Sequence, residues 1–120
     1  MNDNKLLKIN ELIKQKKFQE AQIEVSKLGP EYHKNSEYLY IRGKLFYKSE
    51  LYYPAIDTLL VALEFGENNK IYELLSEIYN IIGNKELSSK ILDTNLRLTT
   101  VNMLKNELSG IYQNRQLETL

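Results

Sequence analysis

Apolar residues recur along this chain at three- and four-residue steps, and nowhere do they alternate with polar ones as a half-buried strand requires. Leu6, Ile9 and Ile13, then Phe18, Ala21, Ile23, Val25 and Leu28, trace two amphipathic segments broken near Lys16 and Lys17. Gly29 and Pro30 close this pair, a C-cap glycine followed by a helix breaker. A short loop from Glu31 to Asn35 offers Asn35 or Ser36 as the next N-cap, and Leu39, Gly43, Phe46 and Tyr47 define the face of the helix that follows. Pro54 falls in the first turn of another helix, where its missing N–H is tolerated. Ala55, Leu59, Ala62 and Leu63 form that helix's inner stripe, which ends near Gly66, with Asn68 and Asn69 as the next cap. Tyr72, Leu75, Ser76 and Tyr79 come next, a break falls at Gly83 and Asn84, and Leu87, Ser88, Ile91 and Leu92 resume the pattern. The chain reads as all-α, helix and turn repeated.

Ala21 and Ala55 lie 34 residues apart in similar helical neighbourhoods, and Ser88 follows after another 33. A period near 34 is the signature of stacked helix–turn–helix units. Two helices in a tight hairpin need small side chains where their backbones come closest. Gly43 with Ala55, and Ser76 with Ser88, meet that need twice at the same spacing of 12. Phe46, Phe65, Tyr72 and Tyr79 are expected to pack in the core around them. From Thr99 onward a single apolar stripe, Val101, Leu104, Leu108 and Ile111, faces a polar side with Asn102, Lys105 and Asn106, as expected of a helix sealing the end of a stack. Gly110 should weaken that helix by about 1 kcal/mol relative to alanine.

These residues resemble the tetratricopeptide repeat family. Leu39, Gly43, Phe46, Ala55, Leu59 and Ala62 match its pattern in the second repeat, with Arg42 where leucine is expected. Tyr72, Leu75, Ser76, Tyr79, Ser88 and Leu92 match in the third, with Asn95 replacing a later alanine. In the first repeat Leu12, Ala21 and Val25 fit while Lys5, Lys8 and Ile9 depart, and His33, Glu67 and Thr100 stand where a unit-ending proline is usual. The resemblance implies one domain over 1–120, a right-handed α-solenoid with repeats at about 2–34, 36–67 and 69–98 and a capping helix at about 100–117. It also implies a concave groove lined by the first helix of each repeat. Its positions here are Asp3, Leu6, Asn10, Ile13 and Lys14, then Glu37, Tyr40, Lys44, Tyr47 and Lys48, then Lys70, Glu73, Glu77, Asn80 and Ile81. The family's clamp for a C-terminal carboxylate falls on Leu6, Asn10, Lys44, Lys70 and Leu74, where only Asn10 and Lys70 match, so that mode is not expected.

Charge and chemistry narrow the function further. Sixteen basic residues balance sixteen acidic ones, which gives no support for nucleic-acid binding. The chain has no cysteine, so disulfides and thiolate metal sites are excluded. Met1 to Lys5 is polar rather than the start of a signal-peptide apolar core, and the longest aliphatic run, Leu59 to Leu63, is far short of the ~20 residues that span a bilayer. The expected compartment is the cytoplasm, with no membrane span. His33 stands alone in a polar loop, and the five glycines show no phosphate-cradling spacing. Glu73 and Glu77 share a helix face, but two carboxylates fall below the ligand count hard cations usually need. No catalytic residue, metal or cofactor is expected.

What remains is a surface. Tyr40 and Tyr47 flanking Lys44, with Lys48 beside them, combine aromatic area with ammonium groups, and with Asn10, Glu73 and Glu77 they form the expected partner-binding face. The leading expectation is a non-catalytic adaptor or chaperone that holds a peptide or amphipathic helix of another protein. A sharper version, resting on size and topology, is a type III secretion-type chaperone for a small secreted subunit. A structural subunit that self-associates through Tyr52, Tyr53 and the Tyr112 region is the other alternative, making a homo-oligomer the second class of partner.

Overall fold

The computed structural model describes residues 3–107. Among them helices alternate with short turns and no strand occurs: α1 (Asn4–Lys14), α2 (Phe18–Ser26), a 3-10 turn at Pro30–Tyr32, α3 (Ser36–Lys48), α4 (Tyr52–Phe65), α5 (Asn69–Ile81) and α6 (Lys85–Leu92). A further helix, α7, occupies residues 97–107. No helix of the described residues is long and apolar enough to cross a membrane. Backbone contacts group the chain into two compact units, Met1–Ile71 and Tyr72–Leu120.

The three turns that follow α1, α3 and α5 are built identically. In each, the second of three linking residues takes a left-handed backbone: Lys16 at φ 61°, Glu50 at φ 62° and Gly83 at φ 90°. The next amide then reaches back to a carbonyl five residues earlier, Lys17 to Leu12 at 2.9 Å, Leu51 to Phe46 at 2.9 Å and Asn84 to Tyr79 at 2.8 Å. A second bond in each turn runs from Lys16 to Ile13, Glu50 to Tyr47 and Gly83 to Asn80. Together these are the paired bonds of a Schellman C-cap, which satisfy carbonyls that a helix end would otherwise orphan. The same residue then opens the next helix, since Lys17, Leu51 and Asn84 accept from the amides of Ala21, Ala55 and Ser88. The period seen in the side chains is thus written into the backbone as well.

Only the third turn uses glycine, so Lys16 and Glu50 bear a steric cost of about 1–2 kcal/mol each in the left-handed region. Glu50 is exposed and its side chain makes no hydrogen bond or ion pair among the described residues. Glu50→Gly should therefore raise stability by about 0.5–1 kcal/mol, the relief of strain exceeding glycine's extra chain entropy. Urea unfolding measures it, and a less stable variant would refute the left-handed assignment.

Within Met1–Ile71 the core is made by α1, α2, α3 and α4. Leu6, Ile9 and Ile13 of α1 and Ala21 of α2 are buried. α3 packs on α1, α2 and α4, which is why it buries Tyr38, Leu39, Ile41, Gly43 and Leu45 rather than one stripe. Gly43 is the close approach. A Cβ there would lie 2.7 Å from both Cγ and Cδ2 of Leu59, a side chain with no exposed surface. At the far end of the hairpin the Ser36 hydroxyl donates to the Gly66 carbonyl at 2.9 Å, while Asn35 takes the capping position by accepting from the Tyr38 amide.

Asp3 performs two tasks at the start of α1. Its Oδ1 caps the helix by accepting from the amides of Lys5 and Leu6, and its Oδ2 accepts from the Tyr32 hydroxyl at 2.8 Å. The Tyr32 bond first, and the two amides with it, hold the Asp3 carboxyl below its ordinary range. The same bond pushes the Tyr32 phenol up.

In Tyr72–Leu120 the corresponding hairpin closes through a polar contact. The Ser76 hydroxyl lies 2.9 Å from the Ser88 carbonyl and 2.8 Å from its hydroxyl, so both small residues approach and their polar groups are satisfied. Leu75, Ile78 and Ile91 are fully buried, and Val101 and Leu104 turn the apolar stripe of α7 inward as expected.

Several side chains stand elsewhere than the apolar pattern suggests. Phe65, expected in the core, is 41% exposed because α4 ends there and Gly66 continues in extended backbone. Ile23 and Leu92 are also exposed, and Ala21 and Ile91 carry the burial of their helices instead. Leu108, Gly110, Ile111 and Tyr112 lie outside the described residues.

Candidate interaction surface

One face of α3 brings together four of the residues singled out in the sequence. Tyr40, Lys44, Tyr47 and Lys48 follow one another at steps of four, three and one, the spacing that keeps side chains on one side of a helix. The Lys44 ammonium lies 5.8 Å from the centroid of the Tyr40 ring, and that of Lys48 lies 5.4 Å from Tyr47. Both distances allow cation–π attraction, worth about 0.5–1 kcal/mol at exposed sites, which keeps long side chains from sweeping freely. The Tyr47 ring in turn tilts at 53° against Tyr52 of α4, with centroids 6.1 Å apart. Tyr40, Lys44 and Tyr47 are half-buried, and Lys48 is exposed.

Lys44 is electrostatically perturbed on this face. Partial burial strips water from its ammonium, and the fields of Lys48, Lys14 and Lys70 add to that, so its pKa is lowered from the usual lysine value. Beside it a cleft of about 390 Å³ is lined by Asn10, Ser36, Glu37, Tyr40, Lys70 and Ile71 together with the 66–68 turn. Asn10 and Tyr40, separated by 30 residues in sequence, therefore share one concavity.

The remaining expected groove positions divide. Leu6 and Ile13 are 1% and 3% exposed, so they belong to the core of their unit and offer nothing to a partner. The reason is geometric: with Ile9 they are the only buried residues of α1, the stripe on which its packing depends. Asp3 is committed to capping. Glu73 and Glu77 are exposed on α5 within Tyr72–Leu120, one turn apart. Ile81 is 47% exposed, whereas Leu74 is buried.

A second concavity was not anticipated. On α3, Tyr38, Arg42 and Phe46 follow at steps of four, and the Arg42 guanidinium sits 5.9 Å from the Tyr38 centroid and 5.6 Å from that of Phe46. Arg42, Leu45 and Phe46 with Gln22 and Val25 of α2 enclose about 280 Å³. The i, i+4, i+8 order of ring, cation and ring was the signal available in the sequence.

His33 is exposed at the end of the 3-10 turn. Among the described residues no group of three or more His, Cys, Asp or Glu side chains is placed to hold a metal ion. Comparison with protein-family models, with curated proteins and with solved structures finds no match for this chain.

Proposed function

We propose that this chain is a non-catalytic protein–protein interaction module, an adaptor or chaperone of the cytoplasm that grips a peptide or amphipathic helix of a partner protein. In this reading it is a tetratricopeptide-like, right-handed α-solenoid of three hairpins with a capping helix. Support for the repeat comes from the Schellman turn that recurs at Lys16, Glu50 and Gly83, at spacings of 34 and 33 residues. The observation that carries the functional part is the α3 face, where two tyrosine rings and two ammonium groups lie half-open to solvent in fixed mutual positions. Rings of this kind are the usual anchors of protein interfaces, since they bury much area at little entropic cost. The exposed Leu51 and Tyr53, 50% and 70% accessible at the α3–α4 turn, favour self-association as the second reading.

The test uses the protein as bait in lysate of its own organism. One dominant partner should be retained, and Tyr47→Ala should weaken that complex by about tenfold, the scale of a single interface anchor. Measured by titration calorimetry, equal affinity for Tyr47→Ala and the parent would remove the α3 face from the contact. A bait whose mass rises with concentration and that retains only copies of itself would transfer the reading to self-association.

A further inference from the structure

Four lysines of the Met1–Ile71 unit act on one region. Lys14 ends α1, Lys44 and Lys48 stand one turn apart on α3, and Lys70 lies in the first turn of α5. Lys44 feels the charge of the other three and is itself partly withdrawn from water. Among the described residues none of the four has a carboxylate at ion-pair distance; the pairs that form are Lys8 and Lys27 with Glu24, and Lys90 with Glu86. The chain as a whole is neutral, with 16 basic and 16 acidic residues, so this is a local gathering of positive charge and not the result of a basic composition. Like charges held together oppose folding and are relieved when an anion arrives.

The surroundings decide what kind of anion. Tyr40 and Tyr47 lie directly beneath the ammonium groups of Lys44 and Lys48, so a ligand that reaches the cations also meets aromatic rings. Glu37 and Glu67 line the adjoining cleft together with Lys70. A nucleic-acid backbone carries a charge at every phosphate and would bring some of them against these carboxylates. A peptide can set acidic residues over the lysines and uncharged ones over the cleft.

Resting on the interaction-module reading above, we propose that the occupant of the α3 face is an acidic peptide segment of a partner protein with interspersed apolar residues. Its carboxylates pair with Lys14, Lys44, Lys48 and Lys70, and its apolar side chains lie on Tyr40 and Tyr47.

Fluorescence anisotropy with defined probes tests this on the full chain. One labelled peptide of about a dozen residues carries glutamates with a leucine at every fourth position, and a second replaces each glutamate by glutamine. A single-stranded oligonucleotide of equal charge is the third probe. The glutamate peptide should bind at least about tenfold more tightly than the glutamine peptide, and only its binding should fall as salt is raised from about 50 to 500 mM. The double variant Lys44→Gln, Lys48→Gln should lose about tenfold for the glutamate peptide and change little for the other. That variant loses like-charge repulsion together with two cation–π contacts, which offset one another, so it should melt close to the parent. Equal binding of the two peptides would overturn the acidic specificity, while a loss on Tyr47→Ala in the same assay would leave the interaction face itself standing. Absence of binding by either peptide, or tighter binding of the oligonucleotide, would also overturn the proposal.

Discussion

Leu59→Ala is expected to cost about 2–5 kcal/mol, the range for removing a fully buried leucine whose site cannot collapse. Gly43→Ala should cost about 1–3 kcal/mol, although alanine is intrinsically the better helix former by about 1 kcal/mol. Both numbers follow from one contact. A Cβ on Gly43 would come within 2.7 Å of Leu59 Cγ and Cδ2, and Leu59, with 0% exposure, has no open space into which to move. The decisive measurement is the double-mutant cycle. In a Leu59→Ala background the obstructing atoms are gone, so Gly43→Ala should become neutral or stabilising, with a coupling energy of about 1–3 kcal/mol between the two sites. Urea unfolding of the four proteins gives that coupling directly. Additive effects would mean that the α3–α4 approach is not set at Gly43 and that its small size has another cause.

That contact shows which kind of information the sequence held. Gly43 and Ala55, like Ser76 and Ser88, are small at a fixed spacing, and small residues at helix crossings are a local sign of close approach. The helix ends were equally readable at Gly83, Asn35 and Asn84, where glycine and asparagine are chemically suited to caps. The same turn at Lys16 and Glu50 carried no such sign, because lysine and glutamate reach the left-handed region only when the surrounding hairpin holds them there. Periodicity worked well for α1 and for the start of α7, each with one buried stripe. It under-read α3, where contacts with α1, α2 and α4 bury Tyr38, Ile41 and Leu45 outside the expected stripe.

The candidate face on α3 divides along the same line. Tyr40, Lys44, Tyr47 and Lys48 share a helix, so helical geometry alone gathers them. The pairing of Asn10 with Tyr40 around one cleft, and the repulsion that Lys14 and Lys70 exert on the Lys44 ammonium, depend on how α1 and the start of α5 lie beside α3. The repeat register expects Asn10, Lys14 and Lys70 on the groove. It fails for Leu6 and Ile13, where the core stripe of α1 falls on positions the register reserves for a partner.

Arg97 is the side chain whose importance was least visible, and its removal should have the second large effect. In sequence it is one more charged residue, followed by Leu98. In the structure its Nε donates to the Ile91 carbonyl at 2.8 Å and its Nη2 approaches the Leu92 carbonyl at 3.5 Å. Those carbonyls belong to the last turn of α6, which has no later turn to satisfy them. The guanidinium carbon lies 4.1 Å from the centroid of Tyr72, closer than the cation–ring distances on α3 given above. A charge-assisted hydrogen bond contributes about 1.5–3 kcal/mol and a partly desolvated cation–π contact up to about 2 kcal/mol. Because the two share one side chain and their sum is not additive, Arg97→Ala should cost about 2–3 kcal/mol in all. Arg97→Lys should recover less than half of that, since an ammonium cannot donate to a carbonyl in the plane of a group that also stacks on a ring. Stability by urea unfolding, read together with hydrogen exchange at the α6–α7 junction, separates the outcomes. Full rescue by lysine would show that positive charge at the end of α6 is all that matters, acting on the helix dipole, and that the guanidinium's flat, forked geometry adds nothing.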